Sequence, residues 1–540
     1  MLKLIAIISI LCALLLSNAS CAYSRNASAN AHAPAAEQAQ GSKAQTSAFI
    51  NVEGADLNGK LAEALRRARA ASGAKRLFWS AYSFDVRSGV AIDPAAREFH
   101  GSINNIGDTT VFVGTSQGMT IETRNLGIFV LRDSTTGATE RLEIYNLDKP
   151  REYAGYPVYW LGRGGNEESL AFLRPMVEAT HGPAARQQTL LAEHAALAIA
   201  VHDDERVTAL LKDFIRSSRQ EGIRSISVFW LGQRGEEQFL ADIVRNERED
   251  ADLRSHAAHA IGASRDKSAL ALLQSLYQTV ANKDVRRSII HGIAENEDRD
   301  AATAFLLKVA RTDPDQESRQ HAVHLLGEVD SEATVDELMK IFAADKSEDV
   351  RRAVLHALSE MQNARAQGKL MEIARTAQDE EMRAHAIHLV AERGGEAVID
   401  ELSKMYDAER SREVKQRILH AFSEMEGSSR AEEKLFAVAR SDSDREMRQQ
   451  AIHWIGERAG ERSLALLRDT VNSNTDDQEV QMQALHAISE RPADEAVPLL
   501  IKIARTHPNS EIRRAAMHWL GESGDPRAVE FFKEVLSKSK

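Results

Sequence analysis

Hydrophobic and polar positions repeat along most of this chain with a period of 32 or 33 residues. The repeat is clearest after residue 250, where histidine occupies the same place in every period. The nine marker histidines are His259, His291, His324, His356, His388, His420, His453, His486 and His518. Ala198, Phe229 and Tyr159 take the same place in earlier periods, which predicts an array that begins near residue 151. A fixed period of this length indicates a stacked-repeat protein.

Each period predicts two amphipathic helices, one of which carries the marker histidine. At about 100° per residue, the positions one before and two after the histidine are apolar and lie on the side opposite to it. From His291 onward an acidic residue precedes the histidine by seven positions, where negative charge favours a helix N-terminus. In most periods arginine precedes it by five. The histidine face is therefore predicted to be exposed, and we expect it to line the concave side of the array.

Glutamate follows the histidine by four residues in eight periods, so one helical turn separates the two side chains. These glutamates are Glu295, Glu328, Glu360, Glu392, Glu424, Glu457, Glu490 and Glu522. The histidines and glutamates together are called the His/Glu strip. Because a nearby carboxylate favours the charged form of a histidine, we expect the glutamates to raise the histidine pKa values.

The sequence also repeats with a longer period of 64 or 65 residues. His324, His388, His453 and His518 share one type of surroundings at this spacing, which predicts duplication of a two-repeat unit. Residues 151–540 are accordingly predicted to form one solenoid of roughly 11 or 12 units.

Residues 49–150 follow a different pattern. One amphipathic helix is predicted over 61–71, and runs rich in Val, Ile, Phe, Tyr and Thr follow at 76–86, 109–115, 119–123, 127–132 and 141–147. These runs predict a small antiparallel sheet. We expect this β-rich domain to cap the array, because the first repeat of a solenoid would otherwise expose its apolar face.

The first 22 residues combine a basic start, an apolar run from Leu4 to Leu16 and a small-residue end, which predicts a signal peptide. Two outcomes stay open: cleavage before Tyr23, or a lipoprotein-type end in which Cys21 is lipidated. Residues 23–48 are rich in Ala, Ser, Asn and Gln and are predicted to be a flexible low-complexity tether. We therefore expect an exported protein of the periplasm or cell envelope, which touches the membrane only through a lipid on Cys21.

The repeats resemble the short HEAT-like repeats of the phycobilisome-lyase type. Asp349-Val350-Arg351-Arg352-Ala353 at a helix start and Leu520-Gly521-Glu522 at a helix end carry the resemblance. It implies a mainly all-α fold, an α-solenoid of two-helix HEAT-like repeats that follows the small β-rich domain. Some HEAT-like proteins are enzymes, but the His-Glu dipeptides through which deoxyhypusine hydroxylase binds iron do not occur in this array. The bilin lyases share the repeat, yet nothing in this sequence marks a pigment site.

The net charge of −12 argues against nonspecific binding to nucleic acid, which needs a basic surface. Three interpretations of the His/Glu strip compete: a relic of duplication, a contact surface for a protein or peptide, or a chelating surface for divalent metal. We predict a non-catalytic scaffold or adaptor of the cell envelope that binds a protein partner on the strip, with no catalytic residue, cofactor or metal. The alternative is a metal-binding or metal-dependent protein that uses the His-x-x-x-Glu pairs.

Overall fold

The computed structural model describes residues 49–538 except 72–75, 93–99, 107–108, 117–118, 121, 150, 152, 180–185, 265–267, 426, 459 and 474–476. The signal peptide, Cys21 and the tether lie outside the described residues and stay predictions. The described part of the chain divides into two compact units, one up to Arg234 and the other from Gly235 onward. Within the ranges described here, no helix combines the length and apolar character that a membrane span requires.

The first unit contains two β-sheets. Its strands are β1 (Ile50–Asn51), β2 (Leu77–Ser83), β3 (Val90–Ile92), β4 (His100–Ile106), β5 (Thr109–Ser116), β6 (Met119–Thr120), β7 (Leu126–Asp133), β8 (Thr139–Asn146) and β9 (Val158–Arg163). The larger sheet has the order β1-β9-β2-β7-β8, and the smaller one β3-β5-β4 with β6 paired to β5. Strands β2, β7 and β8 are antiparallel neighbours, as predicted, whereas β9 runs parallel to both β1 and β2.

Strand β9 corrects the prediction for the segment around Tyr159. That segment was assigned to the first helical period, but Tyr159 pairs with Ser80 of β2 and Ile50 of β1. The local sequence Val-Tyr-Trp-Leu has the β-branched and aromatic side chains that favour a half-buried strand. Gly162, with φ of 75°, lies next to the end of this strand. The next helix begins at Asn166.

The described residues of the first unit also form five helices: α1 (Leu57–Ala70), α2 (Asn166–Glu178), α3 (Arg186–Ala200), α4 (Arg206–Ser217) and α5 (Glu221–Gly232). The predicted helix over 61–71 corresponds to α1. One face of the larger sheet carries an aromatic cluster in which Phe49, Trp79, Phe129 and Tyr145 are buried. Such clusters contribute large apolar areas to a core.

A chain of buried hydrogen bonds joins the sheet to the helices of the first unit. The Tyr82 hydroxyl lies 2.9 Å from Ser169 Oγ, which lies 2.9 Å from Nε2 of His202. Nδ1 of His202 lies 2.6 Å from the Ala198 carbonyl oxygen, and the ring stacks on Phe84. Burial lowers the pKa of His202 to about 4. This histidine is therefore neutral in the folded protein at neutral pH.

The second unit consists of helices in two alternating series. The marker helices, which carry the histidines, are α7 (Ala251–Gly262), α9 (Lys283–Ala294), α11 (Gln316–Gly327), α13 (Glu348–Glu360), α15 (Glu380–Gly394), α17 (Arg412–Glu424), α19 (Arg445–Gly456), α21 (Gln478–Ser489) and α23 (Ser510–Glu522). The partner helices are α6 (Glu237–Arg245), α8 (Ala269–Thr279), α10 (Arg299–Thr312), α12 (Glu332–Ala344), α14 (Ala364–Thr376), α16 (Ile399–Ala408), α18 (Ser429–Ser441), α20 (Glu461–Val471), α22 (Ala493–Thr506) and α24 (Pro526–Lys538). Successive marker helices contact one another in one layer, and the partner helices form a second layer.

Every marker helix begins with the same capping arrangement. The residue nine before the histidine is Asp, Asn or Ser, and its side chain accepts a hydrogen bond from a backbone N–H in the first turn. Such a cap stabilises a helix by about 1 kcal/mol. The apolar positions next to the histidine are buried as predicted, for example Leu355 and Leu358 in α13. The predicted α-solenoid of two-helix repeats is thus confirmed.

Candidate binding face

The His/Glu strip lies at the surface of the second unit. The side chains of His291, His324 and His388 keep 42%, 57% and 38% of their area exposed. All nine histidines are half-buried or exposed, and all eight glutamates are exposed. The outward orientation predicted from the helical period is therefore correct.

The glutamates pair with histidines in two ways. In α9, α17, α19 and α21 the carboxylate lies 3.6 to 3.9 Å from the histidine one turn earlier, as predicted. Two glutamates also reach the histidine of the preceding marker helix: Glu360 lies 3.9 Å from His324, and Glu424 lies 3.6 Å from His388. Since Glu424 is also 3.6 Å from His420, one carboxylate joins two repeats.

The expected rise of the histidine pKa is wrong at His356, and burial has the same lowering effect at His259, which has no glutamate one turn later. Burial lowers the pKa of His259 to about 4. Burial also lowers the pKa of His356, although Glu360 acts in the opposite direction. The packing of adjacent repeats removes water from these rings, and an exposed carboxylate compensates only part of that cost. The same cause lowers the pKa of His321 and His385 to about 4.

Junctions between marker helices alternate between a close and a wide type. At a close junction, two small residues from neighbouring marker helices are in contact. One lies three positions after the histidine of the first helix, and the other lies one position after the histidine of the next helix. A Cβ added to Gly327 would lie 3.0 Å from Ala357 Cα, and one added to Gly456 would lie 2.7 Å from Ala487 Cβ. One added to Gly262 would overlap the backbone of Gly292. The recurring glycine therefore permits close approach of the helix axes.

Aromatic rings occupy the wide junctions. His385 of α15 lies beside His356 of α13, with the two Nε2 atoms 3.0 Å apart. At later wide junctions a tryptophan takes this place: Trp454 lies 5.0 Å from the His420 ring, and Trp519 lies 4.9 Å from the His486 ring. The two-repeat period of the sequence thus reflects small residues on one side of a marker helix and large rings on the other.

The arginine that precedes the marker histidine by five positions in most periods links neighbouring repeats. Arg319 donates to the Asp313 carbonyl oxygen at 2.9 Å and to the Asp345 carboxylate at 2.8 Å. Equivalent carbonyl contacts are made by Arg254, Arg286, Arg383, Arg448 and Arg513. In the first unit Arg224 of α5 donates in the same way to Ile215. These arginines are structural, and they leave the exposed face to other residues.

The carboxylates of the strip lack strong cationic partners. Throughout the described ranges, neither Lys nor Arg forms an ion pair with any of the eight glutamates; five of the eight form ion pairs with histidines. By contrast, four acidic residues at the starts of marker helices, Glu317, Glu381, Glu446 and Glu479, form ion pairs with Lys or Arg of the preceding repeat. The strip is therefore a row of available negative charges at neutral pH.

Two open clefts interrupt the strip. One of about 490 Å³ is lined by His321, His324, His356 and Glu360 among others. A second, of about 700 Å³, lies between α19, α21 and α23, where Met482, His486 and Trp519 provide apolar surface beside Asp477 and Glu479. Sequence reasoning missed these clefts, because they form between helices of different repeats.

Comparison with known proteins agrees with this architecture. Residues 303–391 and 473–540 match a family model of HEAT repeats. No curated protein sequence matches the chain.

A comparison with solved structures finds similarities at low TM-scores. A Kap121p mutant is 13% identical over 69% of this chain and 47% of its own, with a TM-score of 0.37. Yeast importin-beta (Kap95p) is 11% identical over 68% of this chain and 59% of its own, with a TM-score of 0.34. Human deoxyhypusine hydroxylase is 16% identical over 49% of this chain and 98% of its own, with a TM-score of 0.22. The chain spans about half the length of the first two proteins. Two stretches of the α-solenoid, residues 303–391 and 473–540, are therefore similar to HEAT repeats.

Proposed function

We propose that the second unit is a non-catalytic scaffold that binds a basic segment of a protein partner along the His/Glu strip. A HEAT-repeat solenoid is consistent with a protein-binding role. The observation that supports this proposal is the row of exposed glutamates that neither Lys nor Arg neutralises within the described ranges. Such a row attracts a cationic partner and disfavours an acidic one.

The spacing of the row suits an extended peptide. Packed helices lie ~8 to 10 Å apart, and an extended chain advances ~3.3 Å per residue. A partner with Lys or Arg at about every third residue would therefore meet one glutamate per repeat. Each exposed ion pair contributes only ~0.2 to 1 kcal/mol, so affinity depends on several repeats acting together. Trp454 and Trp519 offer half-exposed rings on which an arginine can stack.

Charge removal on the strip tests the proposal. A photo-cross-linking residue at Gln449, which lines the larger cleft, would first capture the partner from an envelope extract. Glu360, Glu392, Glu424 and Glu457 would then be replaced together by Gln. We expect the captured partner to bind this variant at least about tenfold more weakly, since tenfold corresponds to only ~1.4 kcal/mol over four ion pairs.

A matched control removes the same charge from the other helix layer. Glu332, Glu372, Glu433 and Glu530 are exposed on partner helices and would also be replaced by Gln. This control should bind the partner within about twofold of the unchanged protein. Equal losses in both variants would show a general effect of net charge, and unchanged binding in the strip variant would place the contact elsewhere.

We also propose that the protein acts in the cell envelope. The support is the signal-peptide pattern of residues 1–22 and the lipoprotein-type position of Cys21. If Cys21 carries a lipid, Cys21→Ser moves the protein from the membrane fraction to the soluble periplasmic fraction. An identical distribution of both forms would exclude the lipid anchor.

A further inference from the structure

Three potential metal ligands come together where α7 meets α9. One ligand atom each from His259, His291 and Glu295 lies within 4.8 Å of the other two. The two imidazole rings are 5.0 Å apart, with a 72° angle between their planes. Nδ1 of His291 is buried, makes no hydrogen bond and lies 3.6 Å from a carboxylate oxygen of Glu295. A buried nitrogen without a partner is costly, and a cation ligand would satisfy it.

The cluster fits the preferences of zinc. Two histidines and one glutamate form a known three-ligand set for Zn²⁺, which leaves a fourth position for water or another ligand. With bonds of ~2.0 to 2.2 Å, tetrahedral ligand atoms lie about 3.4 Å apart. The Nδ1 of His291 already lies 3.6 Å from the Glu295 carboxylate, and all three ligand atoms lie within 4.8 Å of one another, so small side-chain rotations suffice. Glu295 supplies that freedom, because it caps the end of α9 and its side chain is 47% exposed.

The glycines of this junction explain why the ligands converge here. Gly262 and Gly292 face each other, whereas the equivalent contacts further along pair Gly327 with Ala357 and Gly456 with Ala487. Removing both Cβ atoms lets α7 and α9 approach more closely than helices at the other close junctions. In the comparable set of His388, His420 and Glu424, the carboxylate lies 3.6 Å from Nδ1 of each histidine, but the two Nδ1 atoms lie more than 4.8 Å apart.

We propose that His259, His291 and Glu295 bind one Zn²⁺ ion between the first two marker helices of the second unit. The site forms within a single chain, so it does not depend on the protein partner proposed above. The bound ion would hold α7 against α9 and present its open coordination position on the exposed face of the strip.

Metal titration of the untagged full chain tests this proposal. The protein, first treated with a chelator, would be titrated with Zn²⁺ in competition with a chromophoric chelator. We expect one equivalent that binds more tightly than about 1 µM. Co²⁺ added in place of Zn²⁺ should give the intense visible absorption of a tetrahedral site. His259→Gln, His291→Gln and Glu295→Gln should each weaken the tight equivalent by more than about 100-fold, since loss of an outer-shell partner alone costs up to that factor.

The matched control uses the second histidine–glutamate set. His388→Gln and Glu424→Gln remove the same side chains at another close junction and should leave the tight equivalent unchanged. Glu295→Gln alters an exposed side chain, so its circular dichroism should match that of the unchanged protein even if a histidine variant folds poorly. The proposal would be overturned if the unchanged protein bound no Zn²⁺ ion tightly, or if Glu295→Gln still bound the ion as tightly. It would also be overturned if the control variants lost as much Zn²⁺ affinity as the ligand variants.

Discussion

Replacing Arg319 with Met should open the array locally. The guanidinium joins two repeats, because it donates to the Asp313 carbonyl oxygen at 2.9 Å and to both carboxylate oxygens of Asp345 at 2.8 and 3.3 Å. The two side chains keep only 16% and 11% of their area exposed. Methionine fills much of the same space, so the change mainly removes charge and hydrogen bonds and leaves Asp345 unpaired.

The expected loss of stability in Arg319→Met follows from the burial of the Arg319 and Asp345 side chains. Breaking a fully buried ion pair from one side costs ~3 to 5 kcal/mol, since an uncompensated charge stays behind. Here water still reaches both groups, and Asp345 keeps a hydrogen bond from the Ser347 backbone amide. We therefore expect a loss of about 2 to 3 kcal/mol. Because each repeat touches only its neighbours, the loss should appear in α10 to α13 before the rest of the unit.

Hydrogen exchange read by mass spectrometry measures this loss repeat by repeat. A loss of 2 to 3 kcal/mol corresponds to roughly 30- to 150-fold faster exchange of the protected amides. Arg365→Met is the control: Arg365 also pairs across repeats, with Asp336, but the side chains are 43% and 45% exposed. The control should cost less than about 1 kcal/mol. If both variants exchange alike, or if Arg319→Met changes nothing, the buried arginine does not hold the repeats together.

Two further predictions concern other parts of the chain. Because the pKa of His202 falls from about 6.5 when unfolded to about 4 when folded, the first unit should lose up to about 3 kcal/mol of stability as pH drops through that window. Melting curves from pH 7 to pH 4 should show the loss, and His202→Gln should flatten it. Gly262→Ala should destabilise the second unit by about 1 to 3 kcal/mol through contact with α9. Gly521→Ala, at the same place of the last period, should be neutral or stabilising in chemical denaturation, because no described atom lies within 4 Å of its added Cβ.

The helical period was enough to predict the repeat and the exposed face, because the side of a helix opposite its buried apolar residues faces solvent. The same reasoning failed at Tyr159, where strand-forming residues imitate one period of the repeat. The caps nine residues before each histidine were visible in the sequence as Asp, Asn or Ser and could have been found. The pKa of His259 could not be predicted, because burial and the nearby His291 of the adjoining helix both lower it. The ligand cluster with His291 depends likewise on how closely two helices approach.

The alternation of close and wide junctions has a mechanical consequence. Backbones in contact through glycine and alanine can slide or tilt little without overlap, whereas a junction filled by a ring can yield when that ring changes rotamer. The second unit should therefore flex mainly at the junctions that hold His385, Trp454 and Trp519, and each pair of repeats between them should move as a stiff block. Distances between glutamates would then be constant within a block and adjustable between blocks.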